Sequence, residues 1–85
     1  MYDLVFHESF EKSFSKIADK QTRQQIWKKI LELEEYAPRG KHLVGNPYWT
    51  LRVGGHRVIY LFHPALRVIR IVDILERKHQ YRELR

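Results

Sequence analysis

The sequence predicts an α+β domain: an N-terminal strand, an antiparallel helical hairpin, then a three-stranded antiparallel meander with a short C-terminal tail. Three observations predict it. Apolar residues recur at helical spacing up to Tyr36, with Phe10, Phe14 and Ile17 at i, i+4, i+7 and then Ile26, Trp27, Ile30, Leu31 and Leu33. From Tyr48 onward the pattern changes to alternation at a period of two. Gly54-Gly55 stands between two of these alternating runs, and a primed hairpin turn needs the positive φ that glycine supplies cheaply.

Each element follows in order. Tyr2–Phe6 reads as a short strand, and a helix starts at His7 or Glu8. Asp19 is placed to cap a second helix whose other face carries Glu, Lys, Gln and Arg, and Pro38 and Gly40 end it. Ala37–Pro47 is the longest irregular segment. The second strand spans Tyr48–Val53 and the third His56–Phe62. His63-Pro64-Ala65-Leu66 makes a turn that suits the fixed φ of proline, and the fourth strand runs from Arg67 to about Leu75. Alternation then sorts the side chains. Trp49, Leu51, Val53, Val58 and Tyr60 face the helices, and Tyr48, Thr50, Arg52, Arg57, Ile59 and Leu61 share a more open face. Trp27, Trp49 and Tyr60 are expected in the core. The first strand is expected beside the second or the fourth. At 85 residues the chain makes one domain, residues 1–85, around a single core.

Composition excludes several classes. Without cysteine there is no disulfide framework and no thiolate metal site, which suits a reducing compartment. No apolar run approaches the roughly 18 residues of a membrane span, and the N-terminus lacks a signal-peptide core, so a cytoplasmic protein with no membrane partner is expected. His7, His42, His56, His63 and His79 are scattered without ligand spacing, so neither metal nor other cofactor is expected. No glycine-rich phosphate loop opens a helix, and no nucleophile elbow is present. The formal charge is +6, and the cationic excess begins at Arg39, which points to an acidic partner.

The hairpin focuses that charge. A two-residue loop pairs Val53 with His56, and so sets Arg52 opposite Arg57. With guanidinium groups about 5 Å apart, the repulsion is about 1 to 3 kcal/mol for effective dielectrics from 80 down to 20. Two planar forks at this spacing can hold an anion such as a phosphate, or splay into solvent and hold nothing. The tail Glu76-Arg77-Lys78-His79-Gln80-Tyr81-Arg82 interleaves cations with an imidazole and a phenol, a composition that suits RNA.

Three stretches, in order, resemble the RelE/ParE toxin superfamily of toxin–antitoxin systems. The first is Leu43-Val44-Gly45-Asn46-Pro47-Tyr48-Trp49. The second is Trp49-Thr50-Leu51-Arg52-Val53-Gly54-Gly55-His56-Arg57-Val58-Ile59-Tyr60, and the third is Glu76 to Arg82. The resemblance covers nearly the whole chain. It implies a RelE-like toxin that cleaves mRNA in the ribosomal A site without a metal, the ribose 2′-OH attacking the adjacent phosphate. In that reading Arg57 is the central catalytic arginine. Arg52 is the base or a charge stabiliser, Arg77 is a further catalytic arginine and Tyr81 positions substrate. His79 supplies acid–base capacity, with Glu76 and Tyr81 as alternatives. Arg52, Arg57, Arg77, Lys78 and Arg82 would bind the RNA. Thr50 stands where the best-known members carry a first basic residue. The implied partners are a cognate antitoxin, the ribosome and mRNA, with the toxin a monomer when free and a hetero-oligomer with its antitoxin. The superfamily also hosts ParE-like toxins that inhibit DNA gyrase without cutting RNA, and a degenerate member would bind its antitoxin alone.

Overall fold

In the computed structural model, which describes residues 1–76, the apolar stripes of two helices close on one face of a five-stranded sheet. The elements are β1 (Asp3–Phe6), α1 (Glu8–Ser15), α2 (Lys20–Tyr36), β2 (Lys41–His42), β3 (Tyr48–Val53), β4 (His56–His63) and β5 (Val68–Glu76). A single 3₁₀ turn, Pro64–Leu66, joins β4 to β5. The sheet order is β1-β5-β4-β3-β2. The helices and the antiparallel meander follow the expected class. The first strand takes one of its two expected places, beside the last strand, and runs parallel to it from Asp3↔Val68 to Phe6↔Ile71.

Helix α2 begins as its sequence implies. The Asp19 carboxylate accepts from the Thr22 backbone N–H at 3.2 Å and from the Thr22 hydroxyl. These bonds, the hydroxyl first, hold its carboxyl below the usual carboxylate range. Ile26, Ile30 and Leu33, at i, i+4, i+7, are fully buried against Leu51, Val53, Val58, Tyr60, Ile69, Ile71 and Ile74. Each such side chain contributes about 1.5–3 kcal/mol by leaving water. Trp27 departs from the core expected for it. The stripe that points inward excludes it, so it lies on the helix flank, 39% exposed, stacked on Phe6 with ring centroids 5.3 Å apart. Trp49 is half-buried, whereas Tyr60 is fully buried as expected.

Helix α1 seals the edge of β5 beyond the end of β1. The His7 backbone N–H donates to the Ile71 carbonyl at 3.0 Å. The Ser9 hydroxyl donates to the Val72 carbonyl, and the Ser13 hydroxyl to Asp73 Oδ1, both at 2.6 Å. The β4–β5 register shifts here, with Ile59 opposite Asp73 but Tyr60 opposite Ile71, so Val72 is skipped.

Two local features differ from expectation. Arg67 belongs to the turn, not to the strand. It is left-handed at φ 55°, its N–H donates to the Pro64 carbonyl, and its guanidinium lies 5.7 Å from the centre of the Tyr2 ring. The irregular stretch after α2 contains β2, paired with β3 through Lys41↔Thr50 and His42↔Trp49. Two residues carry too little periodicity to be read as a strand.

Tyr60 fixes the path of that stretch. Its hydroxyl accepts from the Arg39 backbone N–H at 2.8 Å and donates to the Arg39 carbonyl. Burial pushes the phenol above its usual value of 10.0, with the hydrogen bond from Arg39 acting in the opposite direction. A raised folded-state value means that this stability is fully present below pH 10.0 and is lost as pH rises beyond it. Tyr60→Phe is therefore expected to cost about 1–2 kcal/mol near neutrality. Urea unfolding from neutral pH to about pH 11 should show a shallower alkaline loss in the variant than in the wild type.

Candidate nucleic-acid interface

The β3–β4 hairpin turns through Gly54, at φ +58°, and its register is the one its sequence demands: Val53↔His56 and Arg52↔Arg57. Leu51, Val53 and Val58 are buried in the core, so alternation carries Arg52 and Arg57 to the face away from the helices. Arg52 is exposed and Arg57 half-buried. In the next row on the same face, Thr50 and Ile59 are each 3% exposed. The face is thus covered at its centre and cationic at the hairpin end. A charge at the margin of a low-dielectric wall attracts an anion more strongly than the same charge in open water.

Thr50 and Ile59 correct the expectation of an open face. Thr50 is committed to the β2–β3 edge. Its hydroxyl points at the Lys41 carbonyl at 3.4 Å, and Gly40 lies against its own carbonyl. Arg70 was not singled out from sequence, yet its place opposite Leu61 puts it on the arginine face. The signal was the period of two. Four residues along the strand separate that row from Arg57, a distance of about 13 Å.

Glu76, an alternative base, lies opposite His56 and alternates with Leu75, the residue opposite Arg57. Glu76 therefore shares the helix side with Ile74, and it faces away from the arginine pair. Glu76, the last described residue of β5, lies opposite His56, beside the hairpin that carries Arg52 and Arg57. Arg77, Lys78, His79, Tyr81 and Arg82 lie outside the described residues. Among the described residues no group of three or more histidine or carboxylate side chains is placed to hold a metal ion.

The family model for the ParE toxin of the type II toxin–antitoxin system parDE matches residues 4–81. A search of curated proteins gives no match. The isolated E. coli RelE toxin is 26% identical over 99% of this chain and 95% of its own, with a TM-score of 0.77. A chain of the intact E. coli RelBE toxin–antitoxin complex is 26% identical over 89% of this chain and 96% of its own, with a TM-score of 0.74. A chain of the chromosomal ParDE system of P. aeruginosa shares the fold at 15% identity, covering 89% of this chain and 96% of its own, with a TM-score of 0.75. A sheet with paired arginines on its helix-free face thus coincides with a family match over nearly the whole chain, and the protein belongs to the ParE toxin family, within the RelE/ParE superfamily of type II toxin–antitoxin toxins.

Proposed function

We propose that this toxin is a ribosome-dependent, metal-independent mRNA endoribonuclease. The observation that carries the reading is Arg52 held opposite Arg57 at the end of the sheet where Leu75 and Glu76 of β5 pair with the hairpin. The ribose 2′-OH attacks the adjacent phosphorus, the bond to the 5′ oxygen of the next nucleotide breaks, and a 2′,3′-cyclic phosphate and a 5′-hydroxyl result. Charge gathers on the phosphoryl oxygens in the transition state. Preorganised guanidinium groups stabilise that state more than the ground state. Arg57 takes this role, with Arg52 beside it and Arg77 and Tyr81 completing the site. Lys78 and Arg82 add cationic contacts to the RNA. Arginine is a poor proton acceptor because its pKa exceeds about 12, so the base falls to His79, whose unperturbed range is near neutrality. Cleavage is expected to survive chelation once the magnesium required by the ribosome is restored.

A second reading, a ParE-like toxin that inhibits DNA gyrase without cutting RNA, is favoured by the ParE family match, while Thr50, buried where a first basic residue would stand, favours a degenerate member that binds its antitoxin alone. In-vitro translation with mapping of mRNA 5′ ends separates the two. New 5′ ends within translated codons support the nuclease. Intact mRNA together with loss of gyrase supercoiling supports the alternative. Intact mRNA and intact gyrase leave an antitoxin-binding member.

The RelE structures include complexes with antitoxin, which supports an antitoxin partner for this chain also. A cationic face predicts association with an acidic or amphipathic antitoxin segment that slows as salt rises. Stopped-flow rates unchanged from low to high salt would contradict that electrostatic contribution.

A further inference from the structure

A groove of about 570 Å³ opens where α2, the 37–40 segment and the edge of β3 meet, and Arg52 lines it. Lys29, Tyr36 and Arg39 form its other polar walls, with Glu32. The β2–β3 ladder reaches only as far as Thr50, and Leu51 and Arg52 of β3 line the groove beyond it. The 37–40 segment is clamped at two consecutive residues. Tyr60 binds the Arg39 backbone through both of its polar groups, and Gly40 sits so close to β3 that a Cβ there would lie 2.0 Å from the Thr50 carbonyl oxygen.

That clamp presents a particular surface. The Arg39 guanidinium lies 5.3 Å from the centre of the Tyr36 ring, and Tyr36 is 59% exposed. Lys29 is partnered by Glu32 at 3.7 Å. Among the described residues neither Arg39 nor Arg52 has a carboxylate within ion-pair distance. An exposed aromatic ring layered with a guanidinium is a stacking platform for a nucleobase, and unneutralised arginines beside it suit a phosphate. An acidic peptide would use the cations but has no need of the flat aromatic plane.

We propose that this groove is a binding subsite for one nucleotide of single-stranded RNA, adjoining the phosphate held by Arg52 and Arg57. The base stacks on the Tyr36–Arg39 platform, and Arg39 and Arg52 take its phosphate. Arg52 lies in both places, so the strand continues from one to the other round the sheet edge. The assignment rests on the RNA-directed reading of the arginine pair.

The test uses the full chain and a fluorescein-labelled single-stranded RNA 12-mer, with binding followed by anisotropy across a salt series. Tyr36→Leu is expected to weaken binding about fivefold or more while leaving the salt slope unchanged. Arg39→Gln is expected to weaken binding and to lower the slope of log affinity against log salt by about 0.7. Lys12→Gln, a distant exposed cation paired with Glu8, should bind as wild type. Binding of a blunt RNA duplex should be indifferent to Tyr36→Leu. Thermal melts check that each variant is folded. Wild-type affinity in both groove variants overturns the subsite, as does equal weakening for single strand and duplex, or no RNA binding by the wild type. Weakened antitoxin association with unchanged RNA binding would make the groove a protein-docking site and overturn the proposal equally. Mapping of mRNA 5′ ends reads the nuclease separately. Cleavage lost on Arg57→Ala with groove variants at wild-type affinity removes the groove alone, and Tyr36-dependent RNA binding without any cleavage by the wild type removes the nuclease alone.

Discussion

Arg57→Ala is expected to reduce mRNA cleavage on the ribosome by a factor of about 10² to 10³, the loss of one preorganised donor worth about 3 to 4 kcal/mol in the transition state. Position supports this rank. Arg57 stands on β4 between Arg52 on β3 and Leu75 on β5, so neighbouring strands brace it on both sides. It is half-buried, and a guanidinium held by packing has little reorganisation left to perform when charge develops. Arg52 is exposed at the edge side of the pair, and Arg52→Ala should give an intermediate loss. Removing Arg52 also relieves like-charge repulsion, so its stability should stay within about 0.5 kcal/mol of wild type or rise slightly. Arg77→Ala and Tyr81→Phe should lose activity. His79→Gln should move the pH–rate profile if the imidazole is the base. Single-turnover cleavage, with far-UV circular dichroism to check folding, measures all of these. An Arg57→Ala protein that folds and cleaves at wild-type rates would end the nuclease reading and advance the gyrase-directed one.

Gly40→Ala carries the largest expected effect on stability. Gly40 has φ +90°, and a Cβ there would meet Thr50 O at 2.0 Å, Thr50 C at 2.9 Å and Leu51 Cα at 3.1 Å. All three are backbone atoms of β3, so no side chain can swing aside. The 37–40 segment must lift away, loosening the Lys41↔Thr50 pairing and the contact between Arg39 and Tyr60. A loss of about 3–4 kcal/mol is expected, from left-handed backbone strain and steric displacement together. For a domain of this size that lowers Tm by roughly 10–30 °C. Gly45→Ala separates the two contributions. Its φ is +81° but nothing lies within 4 Å of an added Cβ, so it should cost only about 1–2 kcal/mol. Equal melting temperatures for the two variants would show that the approach to β3 is not tight.

Legibility followed the range of each interaction. The Arg52–Arg57 register was readable because parity passes through a two-residue turn without outside help. The Asp19 cap was readable because its partner, Thr22, is three residues away. The α2 stripe was readable only in part. Ile26, Trp27, Ile30, Leu31 and Leu33 all fit a helical period, and only contact with the sheet selected Ile26, Ile30 and Leu33 for burial. Strand β1 could satisfy its hydrogen bonds on either edge, and the choice was made by β5, far along the chain.

The sequence by itself determined the α+β class, the hairpin, and the placing of two arginines on one face opposite each other, because each follows from periodicity, turn chemistry and local capping. Tertiary structure alone decided that Thr50 and Ile59 close the centre of that face, that Glu76 looks the other way, and that Arg39 comes to lie in a groove with Arg52. The physical reason is separation along the chain. Arg39 is held in place by the hydroxyl of Tyr60, 21 residues away, and by the packing of its neighbour Gly40 against the carbonyl of Thr50. Such contacts form only once the core has brought the strands together, and no pattern in the residues around Arg39 encodes them.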